Sequence, residues 1–301
     1  MDLISSLGIS KDQFNWIFDL AKEKKEEKVH HKPLLDKTVG IAFFEPSTRT
    51  YTSFDAAAKK SGASVVGFKG ADMTSTVKGE SFSDTIRMLN CYSDCIVLRH
   101  KYDGSAKFAS EISEVPVINA GDGKNEHPTQ SLIDLFTIKE RFGGIDGLSY
   151  CMMGDLKYSR TTNSLLYLLN RFNPSDVYVY SPESLGVRNE VLSKLNYKCT
   201  VLSDEDFNST LESVDVLYVT RLQKERFTDE NEYHKFKGSY RVDDETITSL
   251  GKDSIVLHAL PRVDEINRKI DSSDKSMYFQ QARNGVPVRM ALLEMIFDGK
   301  Q

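Results

Sequence analysis

The sequence has no excess of positive charge. Its 301 residues include 39 lysines and arginines against 44 aspartates and glutamates, a formal net charge of −5. No bulk positive potential is available to hold nucleic acid or an anionic membrane, so any anion must be bound locally. Cysteine is scarce: Cys91, Cys95, Cys151 and Cys199 form no disulfide framework. The Cys91/Cys95 pair lacks the second ligand pair of a zinc site, so no metal is expected and all four read as buried, reduced thiols. No window approaches the run of about 18 apolar residues that spans a membrane. The N-terminus "MDLISSLGISKDQF" lacks a basic region followed by an apolar one, and a soluble cytoplasmic protein is expected. No GxGxxG follows the first apolar run, which argues against a dinucleotide enzyme.

What is present suits a globular core, with 40% hydrophobic residues. Short Val-, Ile- and Tyr-rich runs alternate with helical patterns: "VGIAFF", "SVVGF", "DCIVLRH" and "PVINAG", then "LSYCMMGD", "DVYVYSP", "KCTVLSD", "VDVLYVTR" and "SIVLHALP". Such alternation predicts an α/β protein of two doubly wound domains, each with a central parallel sheet, joined by a long helix over residues 129–142. The Gly-rich "GGIDG" after that helix marks the break between them. The domains are expected over residues 1–130 and 131–285, with a closing helix over 286–301, begun by Pro287, packing back on the first.

Ligands of open parallel sheets bind beyond the carboxyl ends of the strands. There the sequence places "EPSTRT", Arg99 and His100, "GDGKNEHPTQ", "GDLKYSRT", "TRLQKERF" and "HALPR". Ser47, Thr48, Arg49 and Thr50 combine three hydroxyls and a guanidinium at a predicted helix start, a cradle for an oxyanion such as phosphate. Arg99 can add a second planar fork of donors. His127 could polarise a carbonyl oxygen while Gln130 reads an amide NH₂. Arg160, and Arg221 with Gln223, lie beyond strands of the second domain and suit a substrate with two carboxylates. Lys78 stands in "TSTVKGES", a polar stretch typical of a loop.

Taken together, "FFEPSTRTYTSF", "VKGESFSDTIRML", "AGDGKNEHPTQSLIDL", "GDLKYSRTTNSLL", "VTRLQKERF" and "LHALPRVDEI" resemble the aspartate carbamoyltransferase catalytic chains, in order and across nearly the whole sequence. "HPTQ" with "TRLQKER" favours aspartate over ornithine, whose enzymes carry "HPCQ" and "HCLP". Another carbamoyltransferase or a non-catalytic relative is the alternative. The resemblance implies transfer of the carbamoyl group of carbamoyl phosphate to L-aspartate in pyrimidine synthesis, without a cofactor. It implies phosphate binding by Ser47, Thr48, Arg49, Thr50 and Arg99. The carbonyl oxygen would be held by Thr50, Arg99 and His127, and the NH₂ by Gln130 and the carbonyls of Leu260 and Pro261. The α-carboxylate of aspartate would meet Arg160 and its β-carboxylate Arg221, placed by Gln223.

The resemblance further implies a homotrimer in which a neighbouring subunit supplies Lys78. Glu45 would reach Arg160 and Arg226 on domain closure. Some family members work as bare trimers and others join zinc-containing regulatory chains, and the resemblance allows either. Two departures stand out: Thr74 and Ser75 replace a family serine near Lys78, and Ala259 replaces the proline of "HPLPR". A cis Leu260–Pro261 bond is still expected.

Overall fold

A computed structural model describes residues 1–27, 31–70, 79–224 and 230–299. The chain divides into two units, Met1–Phe136 with Asn284–Gln301, and Thr137–Arg283. The first contains α1 (Lys11–Glu26), β1 (Thr38–Phe43), α2 (Thr48–Lys60), β2 (Ser64–Lys69), α3 (Phe82–Asn90), β3 (Cys95–His100), α4 (Ser105–Ile112) and β4 (Val117–Asp122). Its sheet runs in the order β2-β1-β3-β4 with every pair parallel. The division then falls within α5 (Pro128–Phe142).

The second unit holds β5 (Ser149–Gly154), α6 (Arg160–Leu169), β6 (Asp176–Tyr180), α7 (Asn189–Leu192), β7 (Cys199–Val201), α8 (Asp204–Thr210), β8 (Val216–Thr220), α9 (Glu230–Phe236), α10 (Asp244–Ser249) and β9 (Ile255–His258). Its order is β7-β6-β5-β8-β9, again parallel throughout. The four and five strands are those expected from the apolar runs. The central ones read as largely apolar stretches because both faces are covered: β5 and β8 are buried at every position, and β1 and β3 at all but one.

Three expectations need correcting. The last helix, α11 (Tyr278–Asp298), starts well before Pro287, which lies inside it. A proline there removes one helical hydrogen bond, at a cost of about 3 kcal/mol. Burial of Val288, Met290, Ala291, Leu292, Leu293, Met295 and Ile296 offsets it. The division between units lies at Phe136/Thr137, inside α5 and not in the Gly-rich break or at residue 130. Its cause is visible in the ring of Phe136, which packs 4.9 Å from Phe18 of α1. Of the cysteines, Cys95 and Cys151 are buried, but Cys91 is exposed at the end of α3, and all four are free thiols.

Candidate active site

In the first unit, β1 leads through Phe44 and Glu45 into α2. Ser47 is the N-cap of that helix with extended backbone, yet its hydroxyl makes no capping bond. Thr48, Arg49 and Thr50 form the first turn, where unpaired N–H groups and the positive dipole end favour an anion. Lys69, at the end of β2, adds a cation that sequence reasoning missed: its Nζ donates to Thr48 Oγ1 at 3.3 Å. The neighbouring strand β3 carries Arg99 one residue before its end, paired in register with Phe43. Arg99 Nη1 donates to the Ala120 carbonyl at 3.4 Å, and its Nε lies 2.7 Å from Glu45 Oε1. Next in the sheet, β4 leads to His127, Pro128 and Gln130 at the start of α5. The ends of β1, β3 and β4 thus present the cradle, Arg99, His127 and Gln130 at one sheet edge.

His127 is buried, with Nδ1 3.2 Å from Thr129 Oγ1. Buried carboxylates fix the loop that carries it. Asp122 accepts from Gly104 N–H at 2.8 Å and from Asn119 Nδ2 at 2.9 Å. Glu126 accepts from Ser6 N–H at 2.8 Å and from the Ser5 hydroxyl. Burial raises both carboxyls above the usual carboxylate range, against the pull of these donors.

In the second unit β5 ends at Gly154, whose φ is +109° and where a Cβ would lie 2.2 Å from the Thr220 carbonyl oxygen. No side chain fits that approach. Asp155 follows, fully buried. Its Oδ1 accepts from Tyr158 N–H at 3.1 Å and its Oδ2 from Gln223 N–H at 3.2 Å, while its carbonyl accepts from Thr220 Oγ1 at 3.1 Å. One carboxylate therefore ties the segment before Arg160 to the segment carrying Arg221 and Gln223. Arg160 is the first residue of α6, capped by Ser159, and Arg221 Nη1 donates to the Leu222 carbonyl at 3.2 Å.

Beyond β9, Leu260 has φ +53° and the Leu260–Pro261 bond is cis, as the resemblance implied. Leu260 N–H donates to His258 Nδ1 at 2.8 Å, which puts the imidazole proton on Nε2. Nε2 in turn lies 2.7 Å from Glu265 Oε1. Glu265 Oε2 accepts from Val263 N–H at 3.0 Å and Asp264 N–H at 3.1 Å. The turn with Ala259 in place of proline is thus held by a buried carboxylate and imidazole, neither of which was given a role from the sequence. Lys78, Thr74, Ser75 and Arg226 lie outside the described residues. Among the described residues no group of three or more His, Cys, Asp or Glu side chains could hold a metal ion, and no helix is long and apolar enough to cross a membrane.

Family models agree with this division of labour. The carbamoyl-P binding domain of aspartate/ornithine carbamoyltransferase matches residues 1–140, and the Asp/Orn binding domain matches residues 146–296. Among curated proteins, the aspartate carbamoyltransferase catalytic subunits of Sulfurisphaera tokodaii and Sulfolobus acidocaldarius are each 55% identical over 98% of both chains. Among solved structures, the catalytic subunit of M. jannaschii aspartate transcarbamoylase superposes with a TM-score of 0.87 at 44% identity, over 99% of this chain and 98% of that one. Aspartate transcarbamoylase from Trypanosoma cruzi in complex with carbamoyl phosphate and aspartate gives 0.89 at 35% identity, over 97% and 95%. The chain belongs to the aspartate/ornithine carbamoyltransferase family, among its aspartate carbamoyltransferase catalytic subunits.

Proposed function

We propose that this chain transfers the carbamoyl group of carbamoyl phosphate to the amino group of L-aspartate, giving N-carbamoyl-L-aspartate and phosphate for pyrimidine synthesis. The observation that carries this reading is the sheet edge of the first unit, where an anion cradle at the start of α2 stands beside Arg99 and the start of α5. Ser47, Thr48, Arg49, Thr50 and Arg99 take the phosphate. His127, with Thr129 donating to its Nδ1, carries its proton on Nε2 and offers it to the carbonyl oxygen alongside Thr50 and Arg99. Gln130 and the carbonyls of Leu260 and Pro261 take the NH₂. Arg160 and Arg221, with Gln223, hold the two carboxylates of aspartate.

Carbamoyl phosphate is already activated, so orientation and charge stabilisation are sufficient. Holding the amine against the carbonyl contributes about 7 to 11 kcal/mol, and each donor on the developing oxyanion about 3 kcal/mol more. The amine attacks the carbonyl carbon, the C–O bond to phosphate breaks, and the departing phosphate dianion takes the amine proton. Domain closure belongs to the same reading, with Glu45 leaving Arg99 for Arg160 and Arg226. So does a homotrimer in which a neighbour's Lys78 completes the site, with or without further regulatory chains. That part is tested by mixing inactive Lys78→Gln and Arg49→Ala chains. Shared sites restore a fraction of the activity, and sites built within one chain restore none.

The central experiment measures phosphate release from carbamoyl phosphate with L-aspartate or L-ornithine, for wild type and Arg221→Ala. Release with aspartate alone, lost in the variant, is expected. Release with ornithine would overturn the acceptor assignment.

A further inference from the structure

If Gln130 takes the carbamoyl NH₂, as in the proposed reaction, the orientation of its amide matters, and the role inferred for Asp134 rests on that reading. A glutamine amide has an accepting end and a donating end, exchanged by half a turn. Only the oxygen is useful against an NH₂ group. In α5, Gln130 Nε2 donates to Asp134 Oδ1 at 2.7 Å, one helical turn onward. Asp134 is fully buried, and an ionised carboxylate can only accept. Gln130, half-exposed, must therefore give Asp134 its nitrogen and turn its oxygen the other way.

Asp134 has a cationic neighbour on α11. Arg289 is buried, its Nη1 donates to Ser53 Oγ at 2.8 Å, and its guanidinium lies 4.8 Å from the centre of the Phe54 ring. Burial pulls its pKa down to about 9, opposed by the charge of Asp134. The two buried charges compensate each other, which keeps an ionised carboxylate under Gln130.

We propose that Asp134 is a positioning residue that selects carbamoyl over acyl phosphates. By accepting from Gln130 Nε2 it forces Oε1 toward the substrate, where it receives the carbamoyl NH₂. A methyl group in the same place would leave that oxygen without a donor.

The test compares the KM for carbamoyl phosphate with the inhibition constant of acetyl phosphate, at saturating L-aspartate, in the full chain. In Asp134→Asn the new amide can donate to Gln130 Oε1 and turn its NH₂ outward, a donor facing a donor. The preference for carbamoyl over acetyl phosphate should then fall by about tenfold or more. The exchange Gln130→Glu/Asp134→Asn returns an acceptor to the outer position and keeps the negative charge near Arg289, so it should restore most of the preference. Equal weakening of both ligands in Asp134→Asn, or no recovery in the exchange, would overturn the proposal. If Asp134→Asn alone fails to fold, as circular dichroism would reveal, the exchange is compared with Gln130→Met. Retained preference in the exchange and lost preference in Gln130→Met support the role, and preference lost in both overturns it. Calorimetric titration of the same two ligands keeps the outcome separate from the catalytic reading. If wild type binds both but releases no phosphate with aspartate, the transfer reaction fails and the binding preference still decides the role of Asp134.

Discussion

Arg99 Nε stands 2.7 Å from Glu45 Oε1, with both side chains mostly shielded from solvent. The cation proposed to meet phosphate is therefore already engaged by a carboxylate of its own unit. An incoming phosphate must compete with that carboxylate, whose charge also opposes the anion.

Glu45→Gln should consequently tighten the binding of inorganic phosphate, measured calorimetrically without aspartate, by about fivefold, the equivalent of roughly 1 kcal/mol for a partly shielded pair. Weaker binding in the variant would mean that Glu45 acts chiefly to hold Arg99 in place.

Glu265 should make stability fall in acid. Burial alone would raise its carboxyl, but the hydrogen bond from His258 Nε2, with backbone donors, holds it below the ordinary glutamate range. A carboxyl depressed in the folded state stabilises above its unfolded pKa, and that contribution is lost as pH falls through the folded value. Thermal unfolding followed from pH 7 downward should therefore decline less steeply in Glu265→Gln. The variant should also start lower, by about 1 to 3 kcal/mol, because the buried His258 loses its charged acceptor. Parallel curves for the two proteins would refute the assignment.

Asp155 accepts from backbone N–H groups of both segments proposed to hold aspartate, so Asp155→Ala should loosen Arg160 and Arg221 together. We expect KM for aspartate to rise about tenfold to a hundredfold, the cost of orphaned buried donors. Calorimetric phosphate binding should stay within about twofold, since the cradle belongs to the other unit. A comparable loss in phosphate affinity would show that Asp155 supports the fold as a whole.

Gly154→Ala should destabilise by about 3 kcal/mol or more, because positive φ and a clash with backbone add. The midpoint of urea unfolding measures it, and a shift under about 1 kcal/mol would show that the β5 and β8 ends can part easily.

Much of this architecture was legible in the sequence because strands buried on both faces must be apolar at consecutive positions, as β5 and β8 are, while the partly exposed β6 and β7 were still visible as short Val- and Tyr-containing runs. The cradle was legible too: "STRT" needs only the local fact of a helix start beyond a strand. Asp155, Glu265, Glu126 and Asp134 were not recognised. Their function lies in which distant N–H groups they accept, and Gln223 N–H is 68 residues from Asp155. A single buried carboxylate looks the same in sequence whether it tethers two loops or rests on the surface. Lys69 was missed for a similar reason, since only the pairing of β2 with β1 brings it to Thr48. The start of α11 was misjudged because Pro287 reads as a beginning, and only burial on its far side sustains the helix through it.

The interrupted make-up of the first unit has a consequence for synthesis. Residues 137–283 are translated between its two parts, which at ordinary elongation rates is a delay on the order of ten seconds. Throughout that interval the nascent chain already contains Asp134 but not the arginine whose charge accompanies it in the finished protein, nor the apolar face of α11. The second unit, being continuous, can complete its own sheet first. The unit made first by the ribosome is thus the last able to close, and until then its unfinished core is the part of the nascent chain that most needs protection from aggregation.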